Sequence, residues 1–405
     1  MPTASYPELF GHVFNGAGTS KEVAAKIGVT PQVLEDICRE FTYWYPNDLR
    51  HTAVAHLTNH LSFLIFAHAG LFSPKHWPRG ISLNELVVCE GSKMSKSKGN
   101  VVVLKAAANT HGADLVRLYL SSTADFGATL DFRLRDLEAL KRSLHRYWQI
   151  LHELMRQAQQ PIDAKAEQGS MARWMLSKFE HAVVKSTEAL DQFSLRDYVF
   201  HAFHNLLNNY EHFNRRASAE EKAYVAREIS ARWVQMLAPI VPHMAEELWV
   251  TGGGHGLVSL SQWPAAKLQR IVPEVEARED FVQSVASDIR TVSKLVKTGK
   301  PTQALIIVAD PTKREKIMGA VVRADTPEQL SLELTEEGLL KFAQKRFYEL
   351  KSQGLPTVDE PSALSEAIPW LSGELGIAVR VAREHESKEE KAKRALPGKP
   401  AILLS

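Results

Sequence analysis

The chain has 405 residues, 44% hydrophobic and 24% charged, an ordinary globular composition long enough to bury two or three cores. Its 49 Lys and Arg against 47 Asp and Glu leave a net charge of +2, which excludes indiscriminate coating of nucleic acid but not recognition through a local basic face. Two cysteines, Cys38 and Cys89, exclude a disulfide framework or a cysteine metal centre. The longest apolar run, Leu61 to Phe72, is interrupted by Ser62 and His68, and the N-terminus lacks a basic secretory leader, so a cytoplasmic protein is expected.

In chain order, Ser20 to Lys26 reads as a helix with Lys21 and Glu22 in its first turn. A second follows Thr30, with Pro31 at the favoured first position and Val33, Leu34 and Ile37 on one face. The aromatic run Phe41 to Tyr45, ending at Pro46, reads as a strand entering a loop. Thr52 to Phe72 predicts one long apolar helix, with Leu57, Leu61, Leu64, Ile65 and His68 at helical spacing. Leu86 to Cys89 predicts a short buried strand feeding a lysine-rich loop, and Gly112 to Ser121 a helix capped near Asp114. Helices alternating with short apolar strands predict the second half of a doubly wound α/β domain over residues 1–130.

Residues 131–270 change texture to long amphipathic helices. Leu137, Leu140, Leu144, Tyr147, Leu151 and Leu154 form one stripe, Trp174, Phe179, Val183 and Leu190 a second, and Val199, Phe203, Leu206, Tyr210 and Phe213 a third. A fourth runs through Ile229, Trp233, Met236 and Leu237 and stops at Pro239 and Pro242, while Arg156 to Gly169 reads as a polar connection. These stripes predict a helical bundle whose aromatic residues are core rather than base-stacking platforms. Residues 271–405 predict a small α/β domain: a helix from Phe281 to Lys297, a buried strand from Ala304 to Ala309, helices around Leu330 to Leu350 and Ser362 to Leu371, and a strand from Ile377 to Val381. The charged segment Glu384 to Lys393 is expected to be mobile, before apolar character returns toward Ser405.

The run Lys93-Met94-Ser95-Lys96-Ser97, continuing as Lys98-Gly99-Asn100, carries the clearest chemistry. Closely spaced ammonium groups on a loop that glycine allows to turn suit a polyphosphate whose charge shifts during reaction, with hydroxyl and backbone donors holding its oxygens. Other candidates are weaker. His56 and His60 share a helix face near His51 but have no third ligand at metal-binding spacing. Gly252-Gly253-Gly254-His255-Gly256 lacks a phosphate-loop lysine and reads as a turn.

Several motifs in a shared order carry a family resemblance. Lys93 to Ser97 resembles the KMSKS loop of class I aminoacyl-tRNA synthetases, and YWYPNDLRH at 43–51, NHLSFLIF at 59–66 and HWPRG at 76–80 precede it in the expected sequence. LAPIVPHMAEELW at 237–249 resembles the anticodon-binding bundle of the leucine, isoleucine, valine and methionine enzymes. KAKRALPGKPAI at 391–402 resembles the C-terminus of archaeal and eukaryotic-type leucyl-tRNA synthetases, so the chain is similar over nearly its whole length to the C-terminal portion of the archaeal type.

That resemblance implies ATP-dependent formation of leucyl-adenylate and transfer of leucine to tRNA(Leu). It implies that Lys93 and Lys96 neutralise phosphate charge in the transition state, and that Ser95, Ser97 and the Met94 backbone position ATP. Magnesium is then held largely by the phosphates. It also implies that the bundle docks the inner face of tRNA, while Lys391, Lys393 and Arg394 of the C-terminal domain contact the tRNA elbow and variable arm. An exposed solubilising tail is the competing reading of those three cations.

The sequence departs from the family in two places. The HIGH motif and the editing domain are absent, because both belong to the N-terminal portion; apolar surface on residues 1–125 should therefore be left open. Aligning through Asn59-His60-Leu61 also puts Val54 and Ala55 where the family usually carries a lysine–aspartate pair near the ATP ribose. Loss of one hydrogen bond to a charged acceptor there would cost roughly 1.5–3 kcal/mol. The expectation is the KMSKS-containing part of a split or truncated leucine ligase that needs a HIGH-containing partner. A non-catalytic tRNA-binding paralogue or fragment is the alternative.

Overall fold

The computed structural model of the chain describes residues 6–161, 169–295 and 301–405. Two compact units are present, one of Met1–Arg146, Glu188–Phe200 and Ile240–Pro242, the other of Tyr147–Thr187, His201–Pro239 and His243–Ser405.

The first unit begins with helices α1 (Tyr6–Asn15), α2 (Ser20–Ile27) and α3 (Pro31–Trp44). Thr19 and Glu22 close a reciprocal capping box on α2, and Gly28 ends it in the left-handed conformation that a side chain would disfavour. Val23, Ala24, Ile27 and Leu34 make its small core, against which Leu9 and Val13 pack. Of the face expected on α3 only Leu34 is buried; Val33 and Ile37 are exposed. Phe41 to Trp44 are helical rather than a strand. Their β preference is overridden by a cluster in which Phe41 stacks on Tyr45 and Phe72 and meets Phe14.

The long helix expected from Thr52 is also corrected. Thr52 and Ala53 lie in strand β1 (Arg50–Ala53), which pairs in parallel with β2 (Ile81–Asn84). A 3₁₀ turn (Val54–His56) and a π turn (Leu57–Leu61) follow before α4 (Ser62–Leu71). The strand depends on a partner about thirty residues away, which local periodicity does not register. Strand β3 (Val87–Cys89) pairs antiparallel with β4 (Ser92–Lys93) and parallel with β5 (Leu130–Phe132). Between β4 and β5 lie α5 (Leu104–His111) and α6 (Ala113–Thr123). Gly112 takes the cap position of α6, and Asp114 is buried in its first turn. Cys89, Leu115, Tyr119, Phe132 and Leu137 form the core beneath this sheet, Leu137 coming from α7 (Leu134–Gln157).

In the helical region α8 (Ser170–Asp191) and α9 (Leu195–Val199) are followed by a π segment at Phe200–Asn205 and by α10 (Leu206–Arg216). The region closes with α11 (Ala219–Leu237) and α12 (Pro242–Thr251), the latter starting at a proline expected to mark a stop. Within the second unit Tyr147, Trp174, Phe179, Phe203, Phe213 and Trp233 are fully buried, so the aromatic stripes are core. The Trp233 indole N–H donates to the Ala202 carbonyl at 3.0 Å. Of the polar connection at 156–169, residues 162–168 lie outside the described residues.

The C-terminal α/β module opens with α13 (Pro273–Leu295), a helix that starts earlier than the expected Phe281; the predicted end at Lys297 lies outside the described residues. Strand β6 (Gln303–Val308) is central, parallel to β7 (Ala378–Arg383) and antiparallel to β8 (Ala401–Leu404). Helices α14 (Pro311–Arg323), α15 (Glu337–Lys345), α16 (Phe347–Gln353) and α17 (Glu360–Leu375) complete it. The segment from Glu384 is not a loose tail. It forms short turns at Glu384–Glu386 and Glu390–Arg394, with Ala392 and Ala395 buried. The buried Lys313 ammonium donates to the Lys393 and Ala395 carbonyls, each at 2.9 Å, and pairs with Glu384 at 2.8 Å. Among the described residues no helix is long and apolar enough to cross a membrane.

Candidate functional site

The lysine loop leaves the first unit's three-stranded sheet through a tight hairpin. Glu90 and Gly91 at its tip have positive φ values of 49° and 74°. Asp131 on β5 accepts the Gly91 N–H at 2.9 Å and the Arg133 Nε–H at 2.7 Å. The Gly91 amide first, then Arg133, hold the Asp131 carboxyl below the usual aspartate range. The Glu90 carboxylate accepts the Leu134 N–H at 3.0 Å, tying the other side of the turn to the start of α7.

Beyond the hairpin, Asn100 organises the loop. Its Oδ1 accepts the Ser95 N–H at 2.9 Å and its Nδ2 donates to the Lys93 carbonyl at 3.2 Å, so one side chain bridges both ends of the turn. Ser95 caps a single 3₁₀ turn, Lys96–Lys98, by accepting the Lys98 N–H at 3.2 Å, and its hydroxyl lies 3.2 Å from that of Ser97. Gly99 closes the turn at φ 67°. Met94 packs toward the Cys89 core, whereas Lys93, Lys96 and Lys98 are exposed. Among the described residues none of these three ammonium groups is ion-paired. The result is a braced backbone presenting unneutralised cations, an arrangement suited to a polyanion. The lysines are legible in the sequence, but nothing there gives Asn100 or Asp131 a role; an amide directly after Lys98-Gly99 is the available signal.

Val54 and Ala55 lie directly after β1, and Ala55 is exposed with a side chain that accepts no hydrogen bond. The three histidines nearby do not form a cluster. His51 Nδ1 lies 2.7 Å from the Ser82 hydroxyl, and His60 Nε2 lies 3.1 Å from the Arg50 guanidinium. The His56 and His60 rings are 6.4 Å apart, edge to face. On α4 the apolar residues point outward: Phe63 is 75% and Phe66 76% exposed, with Leu57, Ile65, Leu71, Tyr43 and Trp44 also exposed. Such uncovered apolar area is unusual for a finished surface.

In the second unit Lys391, Lys393 and Arg394 line an open groove of about 530 Å³, with Glu336, Leu339, Glu390 and Leu396 on its other walls. All three cations are exposed, and among the described residues none is ion-paired. Lys313 fixes the backbone between them from below.

Residues 39–143 match the family model of class I (M) tRNA synthetases, and residues 172–308 match that of the anticodon-binding domain of tRNA ligases. The leucine–tRNA ligase of Staphylothermus marinus is 34% identical over 415 residues, covering all of this chain and 42% of that protein. The chain matches the C-terminal half of archaeal-type leucyl-tRNA synthetases. The leucine–tRNA ligase of Pyrococcus furiosus is 32% identical over 416 residues, again covering all of this chain and 42% of that protein. Leucine–tRNA ligase 2 of Metallosphaera sedula is 29% identical, covering all of this chain and 43% of its own length. The chain therefore spans less than half the length of these curated relatives. The fold is the corresponding combination of an α/β synthetase part, a helical anticodon-binding bundle and a small α/β module.

Proposed function

We propose that this chain supplies the KMSKS side of a leucyl-tRNA synthetase, which joins leucine to tRNA(Leu) through leucyl-adenylate. The observation that carries the reading is the Asn100-braced loop with Lys93 and Lys96 unpaired and exposed, in a chain similar along its full length to leucine ligases. Attack of the leucine carboxylate on the α-phosphorus of ATP breaks the bond to the bridging oxygen, and pyrophosphate leaves with added charge. Lys93 and Lys96 offset that charge, more strongly in the transition state than in bound ATP, which is what accelerates the step. Ser97 and the Met94 backbone orient the nucleotide, while Ser95 is partly committed to its own turn. Magnesium enters with ATP on the phosphate oxygens. The groove formed by Lys391, Lys393 and Arg394 contacts the tRNA backbone, and the protein works in the cytoplasm.

The apolar residues exposed on α4 support a requirement for a complementary part of the catalytic domain. Ala55 argues for weak ribose binding and so favours a second reading, a tRNA-binding module without catalysis. Similarity to leucine ligases over the whole chain weighs against it. The two readings separate when the purified chain is mixed with the HIGH-containing portion of a leucine enzyme and leucine-dependent ATP–pyrophosphate exchange is followed. Exchange only in the mixture supports the enzyme. Retention of tRNA(Leu) by the chain with no exchange in any mixture supports the binding module.

A further inference from the structure

Helix α13 carries two faces of different chemistry. Phe281, Val282, Val285 and Ile289 face the core of the C-terminal module, packed with β6 and α17. One turn away, Glu276 and Glu279 face the bundle. Glu276 pairs with Lys178 of α8 at 2.9 Å and also takes the Ser177 hydroxyl. Glu279 is buried, its side chain 6% exposed, and both its oxygens contact the Arg216 guanidinium of α10. His212, one turn earlier on α10, donates from Nε2 to Glu279 Oε1 at 2.6 Å.

Trp370 of α17 completes the cluster. The Arg216 guanidinium lies 5.3 Å from its ring centroid, and the His212 ring meets it edge-on at 5.2 Å. An apolar seam could slide by a fraction of a side chain. A guanidinium and an imidazole converging on one dry carboxylate, with an indole packed against both, define a single register, because any displacement leaves a buried charge unpaired.

We infer that Glu279 is a positioning residue: with Arg216, His212 and Trp370 it fixes the C-terminal module on the bundle in one orientation. Resting on the proposed function, this sets where Lys391, Lys393 and Arg394 meet tRNA when the bundle is bound to the same molecule. The cluster thereby acts on tRNA affinity without touching tRNA.

Two measurements on the full chain test this. Hydrogen exchange, followed by mass spectrometry, needs no tRNA. Glu279→Gln should speed exchange by at least about tenfold, a free-energy change of one tenfold step, in the first turns of α13 and the last turns of α10, while β6 and β7 stay protected. Unchanged exchange at α13 and α10 overturns the inference. The second measurement compares dissociation constants for transcribed tRNA(Leu) in a four-member cycle of wild type, Lys393→Ala, Glu279→Gln and the double variant. If Glu279 positions the groove, a loss of about fivefold from Lys393→Ala in the wild type shrinks below about twofold in the Glu279→Gln background. Independent, multiplying losses overturn it.

Arg216→Lys, which keeps the charge and removes the guanidinium plane packed on Trp370, repeats both measurements in a milder form. Loss of cooperative folding in both variants overturns the proposal as well, since the cluster would then hold the fold rather than place one module. Failure of wild type to bind tRNA(Leu), with the exchange result as expected, overturns the tRNA reading and leaves the joint standing.

Discussion

Asn100 and Asp131 touch no reacting group in the proposed mechanism, yet they decide the shape in which the lysines are presented. Removing Asn100 leaves the Ser95 N–H and the Lys93 carbonyl to water, at about 1 kcal/mol for each hydrogen bond. Asn100→Ala should therefore lower kcat for pyrophosphate exchange by roughly ten- to thirtyfold, with little change in melting temperature; an unchanged kcat would remove the bracing role. Asp131 gives a pH prediction. Its folded pKa is depressed, so its contribution is full above the ordinary aspartate value of 3.8 and is lost as pH falls through the lower folded value. The Gly91 amide resonance should titrate with a midpoint below 3.8, and a midpoint at or above 3.8 would contradict the assigned hydrogen bond. These two roles were not legible in the chain. A lysine motif announces itself by composition, whereas a single Asn or Asp gains its role from partners that folding brings near, forty residues apart for Gly91 and Asp131.

Among the elements, helices with caps and strong periodicity were readable. Glu22 in the first turn after Ser20, Pro31 and the stripes through Tyr147, Phe203 and Trp233 are local signals, and local interactions form these helices. Failures fell where distant partners override local preference: Phe41 to Trp44 joined a helix because of Phe14 and Phe72, and Thr52 joined a strand because of β2. The segment after Glu384 reads as mobile because its charges look solvated. Lys313, some eighty residues earlier, pins it through two carbonyls and Glu384. Lys313→Met leaves Glu384 without its cation and those carbonyls without their donor, at about 3 kcal/mol. Amide exchange across 384–395 should rise, and tRNA(Leu) affinity should fall with Lys391, Lys393 and Arg394 unaltered; protection equal to wild type would show that the segment holds itself.

For the whole molecule, a net charge of +2 makes local cation placement, not bulk charge, the source of the RNA affinity proposed for it. Replacing Lys391, Lys393 and Arg394 together by Ala should reduce the slope of log K against log salt for tRNA(Leu) by about 2, at roughly 0.7–0.9 for each phosphate no longer neutralised. An unchanged slope would return the three to a solubilising role. The exposed faces of Phe63 and Phe66 belong to the same scale, as the surface that the proposed complementary part would cover. The central claim is that the lysine loop is one side of the adenylation site. It is tested most directly by leucine-dependent ATP–pyrophosphate exchange in the mixture with the HIGH-containing portion, comparing Lys96→Ala with wild type. The account predicts a fall in kcat of at least about a hundredfold, roughly 3 kcal/mol of transition-state stabilisation, with the KM for ATP changed by less than about threefold. Exchange at the wild-type rate in Lys96→Ala would contradict it.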